Sequence, residues 1–301
     1  MNQHLLRESP PGFGGVERVA HCLASELGGI VFSLRDTDFH YDPLPVNYRR
    51  SKLKSIIFGR FYFPLLSKSL FQVLFSSKPL IAHLPCPTVL IIALIARVIR
   101  PKRFICFYWH SFIQSRFTVL GLLETLYQFI ALLCVRNFPV IVTSPVMSKI
   151  LALKGFSYEK LTVLPCSLPQ DIEYLYTTIS QVRDNDNLSG TIIVICRLDS
   201  YKRVDWLIKV FSITLAAKRL IIVGDGPNRK NLEYMAKSCI RNDQIVDFYG
   251  RVDEATKSTF LAQADLLVLP SDKSNEAFGI VQLEAMASGI PALAYDFKNS
   301  G

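Results

Sequence analysis

Paired cysteines are missing from this chain. Cys22, Cys86, Cys106, Cys134, Cys166, Cys196 and Cys239 form no C-x-x-C pair, and several stand inside apolar runs. Reduced, buried thiols are expected rather than disulfides or a metal site. No apolar run reaches the ~20 residues of a membrane-spanning helix. Thr88–Ile99 is interrupted by Arg97, and Leu120–Val135 contains Glu124. Both are expected as buried or interfacial helices. No basic-then-apolar leader with a small-residue cleavage site opens the chain, so a cytoplasmic protein is expected. Helix-turn-helix, zinc-finger and RNA-binding signatures are lacking. So are internal repeats and low-complexity tracts. Neither glycine-rich turn has the G-x-G-x-x-G spacing of a dinucleotide fingerprint, which argues against a nicotinamide-dependent dehydrogenase.

What is present is a strongly uneven charge. The 301 residues carry 34 Lys/Arg against 25 Asp/Glu, a formal net charge of +9. Residues 1–168 hold 19 of those cations against 8 acids, whereas the remainder is nearly neutral. A basic half points to nucleic acid, an anionic membrane or acidic substrates. With no nucleic-acid signature beside it, a peripheral hold on the inner face of a membrane is weighed equally with a solvated basic face. Its candidate contacts are Arg49, Arg50, Lys52, Lys54, Arg60 and Lys68, interleaved with Phe58, Phe61, Tyr62 and Phe63.

Apolar strand patterns alternate with amphipathic helical ones. Strands are expected near 3–7, 30–34, 80–84, 104–108 and 140–143, with helical segments between them. A polar stretch follows, QVRDNDNLSG. The pattern then restarts with strands at 191–196, 219–223, 245–249, 266–269 and 292–295. Alternation of this kind implies two mostly parallel α/β units. The expected division is a first domain over 1–168, a linker over 169–190 and a second domain over 191–301. The second domain is short for a doubly wound unit and is expected to be incomplete. Ligands of such folds bind at the carboxyl ends of strands.

The candidate chemistry falls at those ends. Glu276 stands in a polar loop after ADLLVLPS, and Glu284 lies inside the following helix with seven residues between the two acids. Carboxylates accept from hydroxyls, and free N–H groups at a helix start donate to phosphates. A sugar nucleotide carries both. Arg197 and Lys202 follow the strand 191–196 and suit a diphosphate leaving group. Gly14 and Gly15, with Gly12, lie between the first strand and first helix, where small residues let a phosphate approach. Alone, that is a weak signal. Asp225-Gly226-Pro227 is expected as a structural turn. His110, just past a strand end, is as readily a core histidine as a ligand contact, and His83 is expected to be structural.

Taken together, CRLDSYKRVDWLIKVF, LIIVGDGP, VDFYGRV, QADLLVLPS and EAFGIVQLEAMASGIPALA resemble the retaining glycosyltransferases of family 4, in order and in spacing. PGFGGVERV, AHLPCP, YWHSF, VTSP and LTVLP add weaker support. The resemblance implies the GT-B fold, with two Rossmann-like parallel α/β domains facing across a cleft. It implies a nucleotide-diphosphate sugar as donor, held mainly by the second domain, and a polysaccharide or glycolipid acceptor on the first. Catalytic roles would fall to Glu276, His110, Arg197 and Lys202. Arg197 and Lys202 would hold the diphosphate, with Gly14 and Gly15 closing on it. Glu276 would contact the sugar hydroxyls and Glu284 the ribose, while His110 would lie beside the sugar. The backbone of Phe278, Gly279 and Ile280 would approach the sugar or phosphate, and Arg251-Val252 would border the base. Such enzymes need no bound metal, and no cofactor is expected. Departures are CSLPQ after LTVLP, Phe112 where relatives often have an acid, and no crossing helix after Gly301. The competing expectation is a non-catalytic or truncated GT-B protein that only binds a nucleotide sugar or a partner. A nucleotide-sugar epimerase of the same fold is a third.

Overall fold

The computed structural model describes residues 2–9, 14–35, 46–58, 61–113, 118–180, 188–272 and 278–295. The chain divides into two compact units, the first ending at Ser167 and the second beginning at Leu168, with Phe278 grouped with the first. In the first, the elements run β1 (Gln3–Glu8), α1 (Gly15–Leu27), β2 (Ile30–Arg35), β3 (Arg49–Lys52), β4 (Ser55–Phe58), β5 (Phe61–Pro64), α2 (Lys68–Phe75), β6 (Leu80–Leu84), α3 (Pro87–Ile99), β7 (Ile105–Trp109), α4 (Val119–Val135), β8 (Val140–Val142), α5 (Pro145–Leu153) and β9 (Leu161–Val163). Seven strands form one parallel sheet in the order β3-β2-β1-β6-β7-β8-β9, and β4-β5 is a separate antiparallel hairpin.

A parallel sheet is covered on both faces, so its central strands are continuous apolar runs. β7, ICFYW, is buried at every position. One face packs Phe32, Leu84, Phe107 and Trp109 against α3, and the other sets Leu6 and Val31 on Ala20 and Ala24 of α1. Ser67, Thr118 and Ser144 cap α2, α4 and α5 by accepting from the backbone N–H three residues on. α3 buries Val89, Ile92, Ala93 and Ala96, one stripe of the helix, and leaves Ile91, Ile95 and Val98 exposed. α4 buries Ala131, Leu132 and Val135 at its end and exposes Leu122, Leu126, Phe129 and Leu133. Among the described residues, no helix is long and apolar enough to cross a membrane.

The second unit runs α6 (Gln170–Ser180), β10 (Thr191–Ile195), α7 (Val204–Ile213), β11 (Arg219–Val223), α8 (Arg229–Cys239), β12 (Ile245–Gly250), α9 (Glu254–Gln263), β13 (Leu266–Leu269), α10 (Val281–Ala287) and β14 (Ala292–Ala294). Its five strands are parallel in the order β12-β11-β10-β13-β14. Both units are therefore Rossmann-like, and the fold class is GT-B. Strand order reverses between β10 and β13, which opens a crevice at their carboxyl ends.

Two expectations change. The stretch 169–190 is not a plain linker, because Gln170–Ser180 is helical. Ile172 and Tyr176, one helical turn apart, are buried anchors for it. Tyr62, expected at a membrane contact, is buried, because β5 alternates and turns Phe63 outward instead.

Candidate active site

In the second unit the expected residues gather at the carboxyl edge of the sheet. β10 and β13 pair directly at Ile192–Leu266 and Ile193–Leu267, so the loops that leave them are neighbours. Arg197 leaves β10 exposed, with Nε 3.7 Å from Asp199 Oδ2. A single 3-10 turn, Ser200–Lys202, follows, and Lys202 Nζ lies 5.2 Å from the Tyr201 ring centre. Arg203 then takes the left-handed conformation, φ 51°, and α7 begins. A non-glycine residue held there signals a constrained turn. Three contacts hold it: its guanidinium lies 3.6 Å over Trp206, 3.1 Å from Asp205 and 3.5 Å from Asp272. The Asp272 N–H also donates to the Tyr201 carbonyl at 3.4 Å. Arg203 and Asp272 thus join the cation loop to the loop after β13. Neither was singled out in the sequence, although the Lys202-Arg203 pair before a helix start was a usable signal.

Gly279, Ile280 and Glu284 lie on the β13 side of that crevice. Gly279 has φ +74°, and a Cβ there would meet Leu269 Cδ2 at 2.6 Å, so a side chain at this position is strained. Phe278, half-buried, precedes it. Glu276 lies outside the described residues. Glu284 is buried in α10, where Lys257 Nζ donates to its Oε1 at 2.8 Å. Its Oε2 is buried without a hydrogen-bond partner among the described residues. Arg251 and Val252 follow β12 at the same edge, two strands from β10.

Asp225-Gly226-Pro227 is structural, as expected. Added Cβ atoms at Gly224 and Gly226 would fall 1.9 Å from the Cys196 carbonyl oxygen and 2.4 Å from that of Leu198. The Leu198 N–H donates to the Asp225 carbonyl at 3.1 Å, so this turn braces the loop that carries Arg197.

The first unit carries Gly14, Gly15 and His110, again at its carboxyl edge. Gly14 is the N-cap of α1. The Glu17 carboxylate folds over it, within 2.0 Å of where a Gly14 Cβ would stand. Burial raises the Glu17 pKa, partly countered by the Arg7 charge. His110 follows β7 and ends a chain of buried imidazoles. His83 Nδ1 lies 2.9 Å from His110 Nε2, and His4 Nδ1 lies 3.4 Å from His83 Nε2. Tyr108 stacks on His110 at 4.2 Å. A neutral imidazole supplies one donor and one acceptor, which is what such a chain needs. Burial pushes His4 down to about 4 and His110 down to about 3. It also holds His83 well below the ordinary range, with the charges of His110 and His4 acting in the same direction. His83 is thus structural, as expected, and His110 is a buried neutral imidazole.

Residues 177–300 match the family model of glycosyl transferases group 1. An exopolysaccharide phosphotransferase of Streptomyces coelicolor is 33% identical over 146 residues, 47% of this chain and 14% of the relative. The N-acetyl-alpha-D-glucosaminyl L-malate synthase of Bacillus anthracis is 30% identical over 125 residues, 40% of this chain and 32% of the relative. The chain thus spans a third or less of the length of these curated relatives. The crystal structure of Anabaena HepE in complex with UDP and glucose superposes with a TM-score of 0.72 at 18% identity, covering 97% of this chain and 80% of that one.

Proposed function

We infer, from a chain whose residues 177–300 belong to the glycosyl transferases group 1 family and whose fold is GT-B, that it is a retaining hexosyltransferase. It moves a sugar from a nucleotide-diphosphate donor to a polysaccharide or glycolipid acceptor. The observation that carries this reading is the pairing of charges at the β10/β13 crevice. Arg197 and Lys202 leave one strand end, and Glu284, with one unpartnered oxygen, follows its neighbour. Glycosyl transfer builds positive charge on the sugar ring and negative charge on the departing diphosphate. Fixed cations at that diphosphate lower the barrier most where water is excluded. Arg197 and Lys202 take this role, and Glu276 accepts from the donor sugar hydroxyls. Glu284 accepts from the ribose. The backbone of Phe278, Gly279 and Ile280, just before α10, approaches the sugar or phosphate. Arg251 and Val252 border the base. By the same resemblance, Gly14 and Gly15 are proposed for the diphosphate and His110 for the sugar. In the retaining mechanism the acceptor attacks from the face the leaving group departs, and the leaving phosphate takes the acceptor proton. No metal takes part.

The acceptor side carries the membrane contact. Ile91 and Ile95 of α3, Leu126 and Phe129 of α4 and Phe71 of α2 are all exposed, and these helices are neighbours in the order α2-α3-α4. The surplus of cations in residues 1–168 complements an anionic lipid surface. These features support a position at the cytoplasmic face of a membrane.

The test of the transfer reaction is sugar transfer from a panel of nucleotide sugars. Lys202→Ala and Glu276→Gln should each lower kcat/KM by about 100-fold, the usual loss for one electrostatic group. Unchanged rates reject the site. Turnover abolished by a chelator and restored by a divalent ion rejects the metal-free step.

A further inference from the structure

A lysine is seldom buried, and a buried ion pair is poor value for stability compared with apolar packing. Lys257, on α9, is nevertheless buried between two carboxylates. Its Nζ lies 3.0 Å from Glu254 Oε1 and 2.8 Å from Glu284 Oε1. Tyr176 of α6 donates its hydroxyl to Glu254 Oε2 at 2.8 Å, and its ring centre lies 5.8 Å from the Lys257 ammonium. One network therefore ties α6, α9 and α10 together, and it ends on a single buried acceptor, Glu284 Oε2, with no partner among the described residues. A carboxylate free at both oxygens can turn to suit many ligands. With Oε1 held by Lys257, Glu284 keeps one rotamer and one oxygen in play.

We propose that Lys257 is a positioning residue for the donor nucleotide. Itself held by Glu254 and Tyr176, it pins Glu284 so that Oε2 alone accepts from the ribose hydroxyls, and it thereby sets a preference for ribonucleotides over deoxyribonucleotides. This rests on the reading of Glu284 as the ribose contact. A site built to pair a hydroxyl rejects the analogue that lacks it, because its buried acceptor is then left unmatched. A carboxylate released from Lys257 can turn toward other donors, and its preference for the hydroxyl falls.

Calorimetric titration of the whole chain tests this with UDP, GDP and ADP, and then with the 2′-deoxy and 3′-deoxy forms of whichever binds. The unsubstituted chain should favour the ribonucleotide by about tenfold or more. Lys257→Met should bring that ratio near unity, and Tyr176→Phe, which keeps the ring and leaves the lysine in place, should reduce it in part. Lys257→Arg should restore most of it. A purely structural lysine would weaken ribo and deoxy forms alike and leave the ratio unchanged. If Glu284→Ala abolishes the ratio while Lys257→Met and Tyr176→Phe keep it, the positioning role is overturned and the ribose contact stands. If no nucleotide binds, or if Glu284→Ala keeps the ratio, the ribose reading fails and takes the positioning role with it.

Discussion

Lowering the pH from 7 to 5 should loosen the first unit through its histidine chain. His4 and His110 have folded pKa values of about 4 and about 3, against 6.5 for the free side chain. A base with a depressed folded pKa contributes stability that is present above its unfolded value and lost as pH falls toward the folded one. At pH 5 an unfolded histidine is almost fully protonated, and these two are neutral while folded. Relative to pH 7, each then costs about 2 kcal/mol, or about 4 kcal/mol for the pair. His83 acts in the same direction. Glu17 acts in the opposite one, since burial raises its pKa and acid favours its folded form. Against a net stability of about 5–15 kcal/mol, the histidine contribution is large. The chain has two tryptophans, and Trp109 is fully buried in β7. A Trp206→Phe background therefore leaves one fluorescent reporter, on the first unit. Urea unfolding in that background should show the loss at pH 5. His4→Gln, which cannot titrate, should shrink the difference between the two pH values by about 2 kcal/mol. A difference below about 1 kcal/mol, or one that His4→Gln leaves intact, would refute the neutral-chain account.

Glu17→Gln should raise the melting temperature, and more at pH 8 than at pH 4. A raised folded pKa means stability present below the unfolded value and lost as pH climbs, and the amide removes that loss; equal gains at both pH values would contradict it. Co-sedimentation with vesicles checks the membrane surface. The chain should bind vesicles containing phosphatidylglycerol more than neutral phosphatidylcholine ones, and Leu126→Glu with Phe129→Glu should reduce that binding about tenfold or more. Equal binding by the variant would remove α4 from the contact.

The legible part of this fold is the part whose side chains state their own surroundings. Central strands of a parallel sheet are apolar at nearly every position, so β2, β6, β7, β10, β11 and β13 stand out. Glycine-marked turns and strand ends then locate Arg197, Lys202 and Gly279 without further help. Elements held by the backbone alone do not show. β3 is RRSK, an edge strand whose place is set by pairing with β2, not by any apolar alternation. α6 escaped because its anchors, Ile172 and Tyr176, are set among polar residues just before a longer polar stretch. The histidine chain needed register as well as pattern. It exists because β6 lies between β1 and β7 and sets His83 opposite Tyr108, two residues before His110.

Lys257 is the hardest case, and its difficulty has a physical cause. In EATKSTFLAQ it reads as one charge on a solvated helix, and its i,i+3 neighbour Glu254 is the usual partner of such a lysine. Nothing local announces burial. What decides it is the second carboxylate, Glu284, brought in from α10, 27 residues along the chain. A glutamate expected to meet a ribose would be free to turn if it stood in solvent. One fixed by an internal cation is already oriented before the ligand arrives, so the ligand need not supply the energy of ordering it. The same logic runs through the cation loop, where Arg203 stacks on Trp206 and reaches Asp272 while Arg197 stays exposed. In the first of these places a supporting residue holds the one proposed to meet the ligand, and in the second Arg203 holds the loop that carries Arg197 and Lys202. Such supporting contacts depend on three-dimensional placement, which is why the proposed ligand contacts were legible in the sequence and their supports were not.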